Sequence, residues 1–237
     1  MEQHYKIADL TVSMDTFGKT ASQAQPYAIE QVEKTDISIQ PEKTLWRKRY
    51  PGISDDDCEY MASGRSFYEQ LLSFQGTVLH SSAVVVDGRA YLFSAPSGTG
   101  KSTHTQLWLK LFGDRAYILN DDKPALRLVD GIWYAYGSPW SGKHDISVNT
   151  RVPLAGIAMI ERGVVNEIKP WGGYEVLNAL MRQMVRPRDM ESQLKLLDIL
   201  DKLISQVPVW KLRCNMEDQA AIVSYEAMSG EKYNSVL

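Results

Sequence analysis

One stretch constrains this chain more than any other: SAPSGTGKS, positions 94–102. Glycines at 98 and 100 open backbone angles that other residues avoid, so successive N–H groups can converge on an anion. Lys101 and Ser102 follow at once. This is the phosphate-binding loop pattern, with Ala95 in place of its first glycine. Lys101 then reaches the β- and γ-phosphates of a nucleoside triphosphate, and the Ser102 hydroxyl ligates Mg2+. Such a loop needs a strand before it and a helix after it. Positions 90–94 read as a short strand, and 103–112 as a helix ended by Gly113. The helix aims its positive end at the same anion. The nucleotide-contacting set is therefore Ala95, Pro96, Ser97, Gly98, Thr99, Gly100, Lys101, Ser102 and Thr103.

The hairpin feeding this loop spans 78–86 and 90–94 around Asp87-Gly88, and Asp130-Gly131 turns a second hairpin, 126–129 with 132–136. Positions 117–119 and 154–160 are further short apolar strands. The last third is mostly helical. Leu177, Leu180, Met181 and Met184 share one face, as do Leu196, Leu197, Leu200, Leu203 and Ile204, with Pro187 between the two helices. A strand at 207–212 precedes a closing helix capped by Asn215. Nearer the N-terminus, Ser54 and Asp57 form a capping-box pattern, and Asp55 and Asp56 suit the start of a helix. Before it, 5–12 and 35–39 read as strands and 16–25 as a loop.

Phosphoryl transfer also needs one carboxylate for metal and one for the acceptor proton. Asp121 and Asp122 end the 117–119 strand, some twenty residues after the loop. Adjacent residues leaving a strand point to opposite sides, so the two can hold different roles. A polar turn before Pro124 is the plainer alternative.

His80-Ser81-Ser82, the hairpin, APSGTGKS and ILNDD together resemble the catalytic domain of HPr kinase/phosphorylase and its short relatives. The same residues are similar to the nucleotide-binding part of phosphoenolpyruvate carboxykinase. The resemblance covers roughly 72–160. It implies an α/β fold: a mixed, curled sheet with the P-loop helix against it and helices packed alongside. Residues 54–237 would be the catalytic domain, and 1–53 a small β-containing extension. The resemblance makes Asp121 the general base, puts Asp122 with Ser102 at the metal, and sets His80 near the reacting phosphate or the metal. NTRV, 149–152, resembles the arginine motif of the carboxykinases, which would set Arg151 on the transferring phosphate. Asp121, His80, Arg151 and Lys101 are thus the expected catalytic set. ATP and Mg2+ are the expected cofactors. The leading expectation is a kinase acting on a hydroxyl, that of serine or threonine in a peptide or small protein; the alternatives are a kinase of a small metabolite, a nucleotide-responsive binding protein with little turnover and, last, a carboxykinase-type enzyme. Related kinases assemble, which leaves a homo-oligomer open.

Two segments stay open between function and plain surface. The 137–145 loop, GSPWSGKHD, carries Lys143 and His144 and can close over phosphates or acceptor; the basic run 46–50 can be a solvated face or a contact. His104 reads as a packing residue with a nucleotide contact as the alternative. A net charge of −3 argues against a nucleic-acid binder. Cys58 and Cys214 suit no zinc spacing. With no signal-peptide layout and no apolar run near ~20 residues, the expected location is cytoplasmic, away from membranes.

Overall fold

The computed structural model describes residues 3–234. Strands β1 (Gln3–Ile7) and β2 (Leu10–Met14) form a hairpin turned at Ala8 and Asp9, both at positive φ. The alternation read across 5–12 as one strand is therefore two, because the reversal falls in its middle. Helix α1 (Gly18–Ala24) occupies the stretch expected to be a loop. Its small polar residues lack an apolar stripe, yet Thr20, Gln23 and Ala24 are buried, so packing overrides local preference. Strands β3 (Ala28–Ile29) and β4 (Ile37–Ile39) complete a sheet ordered β3-β1-β2-β4. The basic run lies on helix α2 (Lys43–Arg49), which buries no residue. Helix α3 (Asp55–Leu71) starts as its capping pattern demands: the Asp57 amide donates to Ser54 Oγ at 3.1 Å.

The large sheet begins with β5 (Gly76–Val78), β6 (Ser81–Val86) and β7 (Arg89–Ser94). The expected strand 78–86 is split. Leu79 bridges to Met184 and the His80 amide donates to the Gln183 carbonyl, so β5 turns away to pair with β9 (Ala125–Val129). Helix α4 (Lys101–Phe112) follows the glycine loop, then β8 (Ala116–Asn120), and after β9 come β10 (Ile132–Tyr136) and β11 (Arg151–Arg162). Strand β12 (Glu167–Pro170), mostly exposed and polar, carried no sequence signal. Helices α5 (Tyr174–Arg182) and α6 (Met190–Gln206), strand β13 (Val209–Cys214) and helix α7 (Asp218–Ser229) complete the chain. Asn215 does not cap α7. Its Oδ1 accepts from the Glu217 amide in a local turn, and Glu217 is the capping position.

Strand order is β5-β9-β10-β11-β7-β6-β8, with β13 added on β11 and β12 on β13. The sheet is mixed: β7/β11 and β11/β13 run parallel, the other pairs antiparallel. It is also forked. One edge of β11 pairs with β10 from Arg151 to Pro153 and with β13 from Ile157 to Arg162, while β7 takes the other edge. A register shift between Leu154 and Gly156 adds local twist and helps the sheet curl.

Alternation along β6 sorts two cores. Ala83 and Val85 face a cluster with Leu196, Leu200 and Leu203 of α6 and Leu180 of α5. Val84 and Val86 face Trp108 and Phe112 of α4 and Tyr225 of α7. A third cluster joins Tyr5, Val12 and Ile37 of the small sheet to Phe67, Tyr68 and Leu71 of α3 and to Trp140. Among the described residues, no helix is long and apolar enough to cross a membrane.

One acid is fully buried on α3. Burial pushes the Glu59 carboxyl above its ordinary range; the Thr20 hydroxyl and Lys43 oppose that, and Asp56 and Asp15 reinforce it. A raised folded pKa means stability is complete below the unfolded carboxyl's pKa, about 4.3, and declines as pH rises through the folded value. Glu59→Gln should therefore raise stability at pH 7 by about 1–2 kcal/mol and flatten its decline above pH 4.5. Urea denaturation of both proteins across pH 4–8 measures this; a variant no more stable than the wild type at pH 7 would contradict it.

Candidate active site

Three chain segments reach the same end of the sheet. Strand β7 delivers the glycine loop, β8 delivers the aspartates, and the residue before β6 is His80. Register holds them together: Ser81 lies opposite Ser94, and Ala83 opposite Asn120. Ser94 Oγ donates to the His80 carbonyl at 2.8 Å, and the Ser81 amide donates to the Asp122 carbonyl at 3.1 Å.

In the 95–100 loop, Gly98 and Gly100 sit at φ +76° and +123°. The Thr99 amide donates to the Pro96 carbonyl at 3.2 Å, closing a tight turn. Lys101 is nearly buried, and its Nζ donates to the Ala95 carbonyl at 3.0 Å, back across the loop. Burial lowers its pKa, Asp122 and Asp121 raise it, Lys123 lowers it again, and the net shift is downward. The first amides of α4 have no acceptor within the helix, as at any helix start.

Asn120 fixes the aspartate turn. Its Oδ1 accepts from the amides of Asp122 at 3.0 Å and Lys123 at 2.7 Å, while its Nδ2 donates to the Ser138 carbonyl at 2.9 Å. The two carboxylates then diverge. Asp121 Oδ1 accepts from Ser82 Oγ at 2.6 Å, and Ser82 pairs at 2.9 Å with Thr105 on α4. Asp122 Oδ1 faces His80 Nε2 at 3.3 Å and Lys123 Nζ at 3.0 Å. The other ring nitrogen of His80 is held by Gln183 Oε1 at 3.2 Å. Burial alone would raise the Asp122 carboxyl, but the hydrogen bonds and charges of His80 and Lys123 outweigh it, and the net pKa is lowered.

The 137–145 loop lies directly on Asp122. A side chain at Gly142 would put its Cβ 2.9 Å from that of Asp122. The N-terminal helices hold the loop there: the Gly142 amide donates to Tyr60 Oη at 3.0 Å, and Gln23 Nε2 donates to the Gly142 carbonyl at 3.1 Å. The exposed Lys143 and His144 stand at the mouth of a cleft of about 400 Å³ that reaches His80, Lys101, Ser102, Asp121 and Asp122.

Arg151 is not in this cleft, which corrects the sequence expectation. It pairs in register with Tyr136 at the start of β11, whereas Met159 of the same strand lies opposite Ser94. Eight residues of strand are ~26 Å. The Arg151 guanidinium is taken by Asp9 at 2.8 Å and lies over the Tyr134 ring. The arginine that does reach the glycine loop is Arg162, at the far end of β11, donating to the carbonyls of Thr99 and Gly98. No motif marks it; only parallel pairing of β11 with β7 brings it there. Asn120, Ser82, Gln183 and Lys123 were likewise missed as partners, although ILNDD and His80-Ser81-Ser82 contain the first two.

Behind the same loop, a second cavity of about 400 Å³ is walled by Thr103, Leu107, Ile160, Arg162, Asn215 and Met216. His104 lies beneath it, buried, with Nε2 3.0 Å from Ser224 Oγ and its ring against Phe93. Burial drops its pKa to about 4, so it is neutral at pH 7. Among the described residues, no group of three or more His, Cys, Asp or Glu side chains is arranged to hold a metal by itself.

No protein-family model matches the chain, and no curated protein sequence matches it. Among solved structures, it is similar to the HPr(Ser) kinase/phosphatase from Coxiella burnetii, at 10% identity and a TM-score of 0.38, covering 65% of this chain and 95% of that one.

The lowered pKa of Asp122 yields a prediction. A depressed carboxyl adds stability above its unfolded pKa of about 3.9, and that stability is lost as pH falls through the folded value. Lys123→Met should move the Asp122 carboxyl upward in a carbon-13 NMR titration and remove part of that acid-side stability. An unshifted titration would mean that Lys123 is not what holds the carboxylate ionised.

Proposed function

We propose that this chain is an ATP- and Mg2+-dependent phosphotransferase that moves the γ-phosphoryl group to a hydroxyl, that of serine or threonine in a peptide or small protein. The observation that carries the reading is the convergence of Lys101 and Ser102, Asp121 and Asp122, and His80 on one cleft. Phosphoryl transfer asks little covalent chemistry of the protein and much positioning and charge neutralisation. A glycine loop, a buried lysine and two separately held carboxylates meet that demand.

The residues fit the cofactors. The loop amides and Lys101 suit the triphosphate. Asp122, kept ionised by His80 and Lys123 on Oδ1, leaves Oδ2 for a metal shared with the Ser102 hydroxyl. Bound Mg2+ would neutralise charge on the phosphate oxygens. The cavity bordered by Leu107, Ile160 and Met216 adjoins the loop and suits the nucleoside. Asp121, steadied on one oxygen by Ser82, takes the proton of the acceptor hydroxyl. The acceptor oxygen bonds to the γ-phosphorus as the bridging bond to the β-phosphate breaks, and ADP leaves. His80 stands beside Asp122, and its contacts with Asp122 Oδ1 and Gln183 Oε1 hold that carboxylate in place at the cleft. Arg162, which grips the loop carbonyls, replaces Arg151 as the guanidinium near the phosphates.

Three substitutions separate these roles. Lys101→Ala should weaken MgATP binding at least tenfold by titration calorimetry, a change of ~1.4 kcal/mol. Asp121→Asn should leave that binding within about twofold while transfer of γ-labelled phosphate falls by about 10²–10⁴. Asp122→Asn should raise the Mg2+ concentration needed for half-maximal binding. Retained transfer in Asp121→Asn would remove that residue from the mechanism.

A further inference from the structure

Beyond Asp122, on the side away from the glycine loop, lies a third cavity of about 280 Å³. Its walls are Trp46 of α2, Tyr60, Met61 and Tyr68 of α3, Trp140 of the 137–145 loop, and Val185. Asp122 itself and Lys123 close one end, and Asp122 also lines the cleft of the proposed reacting centre, so the two cavities meet at that residue. The aromatic floor is locked. Trp140 stacks on Phe67 with ring centres 4.9 Å apart and meets Tyr68 edge-on at 5.5 Å. Gly64 permits this, since a Cβ there would fall 2.9 Å from the Trp140 ring. The two bordering cations are already matched, Lys123 by Asp122 and Arg65 by Glu69. An apolar occupant therefore meets shaped aromatic walls whose bordering charges are already paired, whereas an ionic one must displace an existing pair.

We propose that this cavity is the acceptor-specificity subsite. It receives a large apolar or aromatic side chain adjoining the serine or threonine that is phosphorylated. The inference rests on the kinase reading above and names its acceptor class. A fourth cavity of about 330 Å³ shares Trp46 and Arg65 with the third and continues along α3 past Glu69 and Gln70 to Arg188 and Asp189. Two adjoining compartments leading away from Asp122 match an extended peptide, whose successive residues advance about 3.3 Å each, better than a single compact metabolite. The occupant is thus a peptide segment: hydroxyl at Asp121, bulky apolar residue in the aromatic cavity, and a polar continuation beyond.

The test is a positional-scanning library of serine- and threonine-centred peptides with γ-labelled ATP, run on the full chain, Met61→Trp and Val185→Trp. MgATP affinity is measured in parallel. The wild type should prefer Phe, Trp, Leu or Met over Gly at one flanking position by about tenfold or more, the size expected for burying one such side chain. Met61→Trp, which fills the cavity, should collapse that ratio toward one, and Val185→Trp does the same if the first variant does not fold. An unselective wild type, or a ratio unchanged in both variants, overturns the proposal. So does label passing to free hydroxy compounds but to no peptide, which keeps the phosphotransferase chemistry and removes its peptide acceptor. No MgATP binding at all overturns both.

Discussion

Strand β7 is paired on both edges, to β6 and to β11, so the chain can leave it only at Ser94 and only by a sharp change of direction. That constraint shapes the site. Gly98 and Gly100 take backbone angles other residues avoid, and α4 returns against the sheet with Trp108 and Phe112 buried among Tyr91, Phe93 and Tyr225. Because that packing fixes the helix, its positive end stands where β6 begins and β8 finishes. His80 and the aspartates then need no long-range reach; the sheet register has already set them beside Lys101.

Electrostatic balance in the cleft follows from this placement. Lys101 is desolvated, which disfavours its charge, and Asp121 and Asp122 work against that loss. Asp122 is desolvated too, and His80 and Lys123 more than offset it. The result is a charged set, each member of which depends on the others and none of which is open to bulk water on all sides. Under the proposed phosphotransferase reading, such a set supplies the fixed charges that electrostatic preorganisation requires. The N-terminal segment belongs to this arrangement, since Gln23 and Tyr60 hold the loop that lies against Asp122.

Much of the site was legible in the sequence because its parts are local. The glycine loop, the capping box at Ser54 and the Asp-Gly turns are short-range patterns whose meaning survives without tertiary context. Pairing was not legible. The 78–86 run has polar residues only at His80, Ser81 and Ser82, and those three do not tell that the strand breaks there to serve β9 and β7 separately. Arg151 carried a motif resemblance but sits at the wrong end of β11; Arg162 carried none and sits at the loop. Helix α1 was hidden for a related reason: its buried face is Thr20, Gln23 and Ala24, which no hydrophobic period reveals.

The most direct test of the account is a crystal structure with Mg2+ and a non-hydrolysable ATP analogue. The account predicts β- and γ-phosphates against the 98–102 amides and Lys101, the metal between Ser102 Oγ and Asp122, and the γ-phosphate within reach of His80 and Asp121. An analogue bound elsewhere, or a triphosphate with Asp121 and Asp122 both turned away from it, would contradict it.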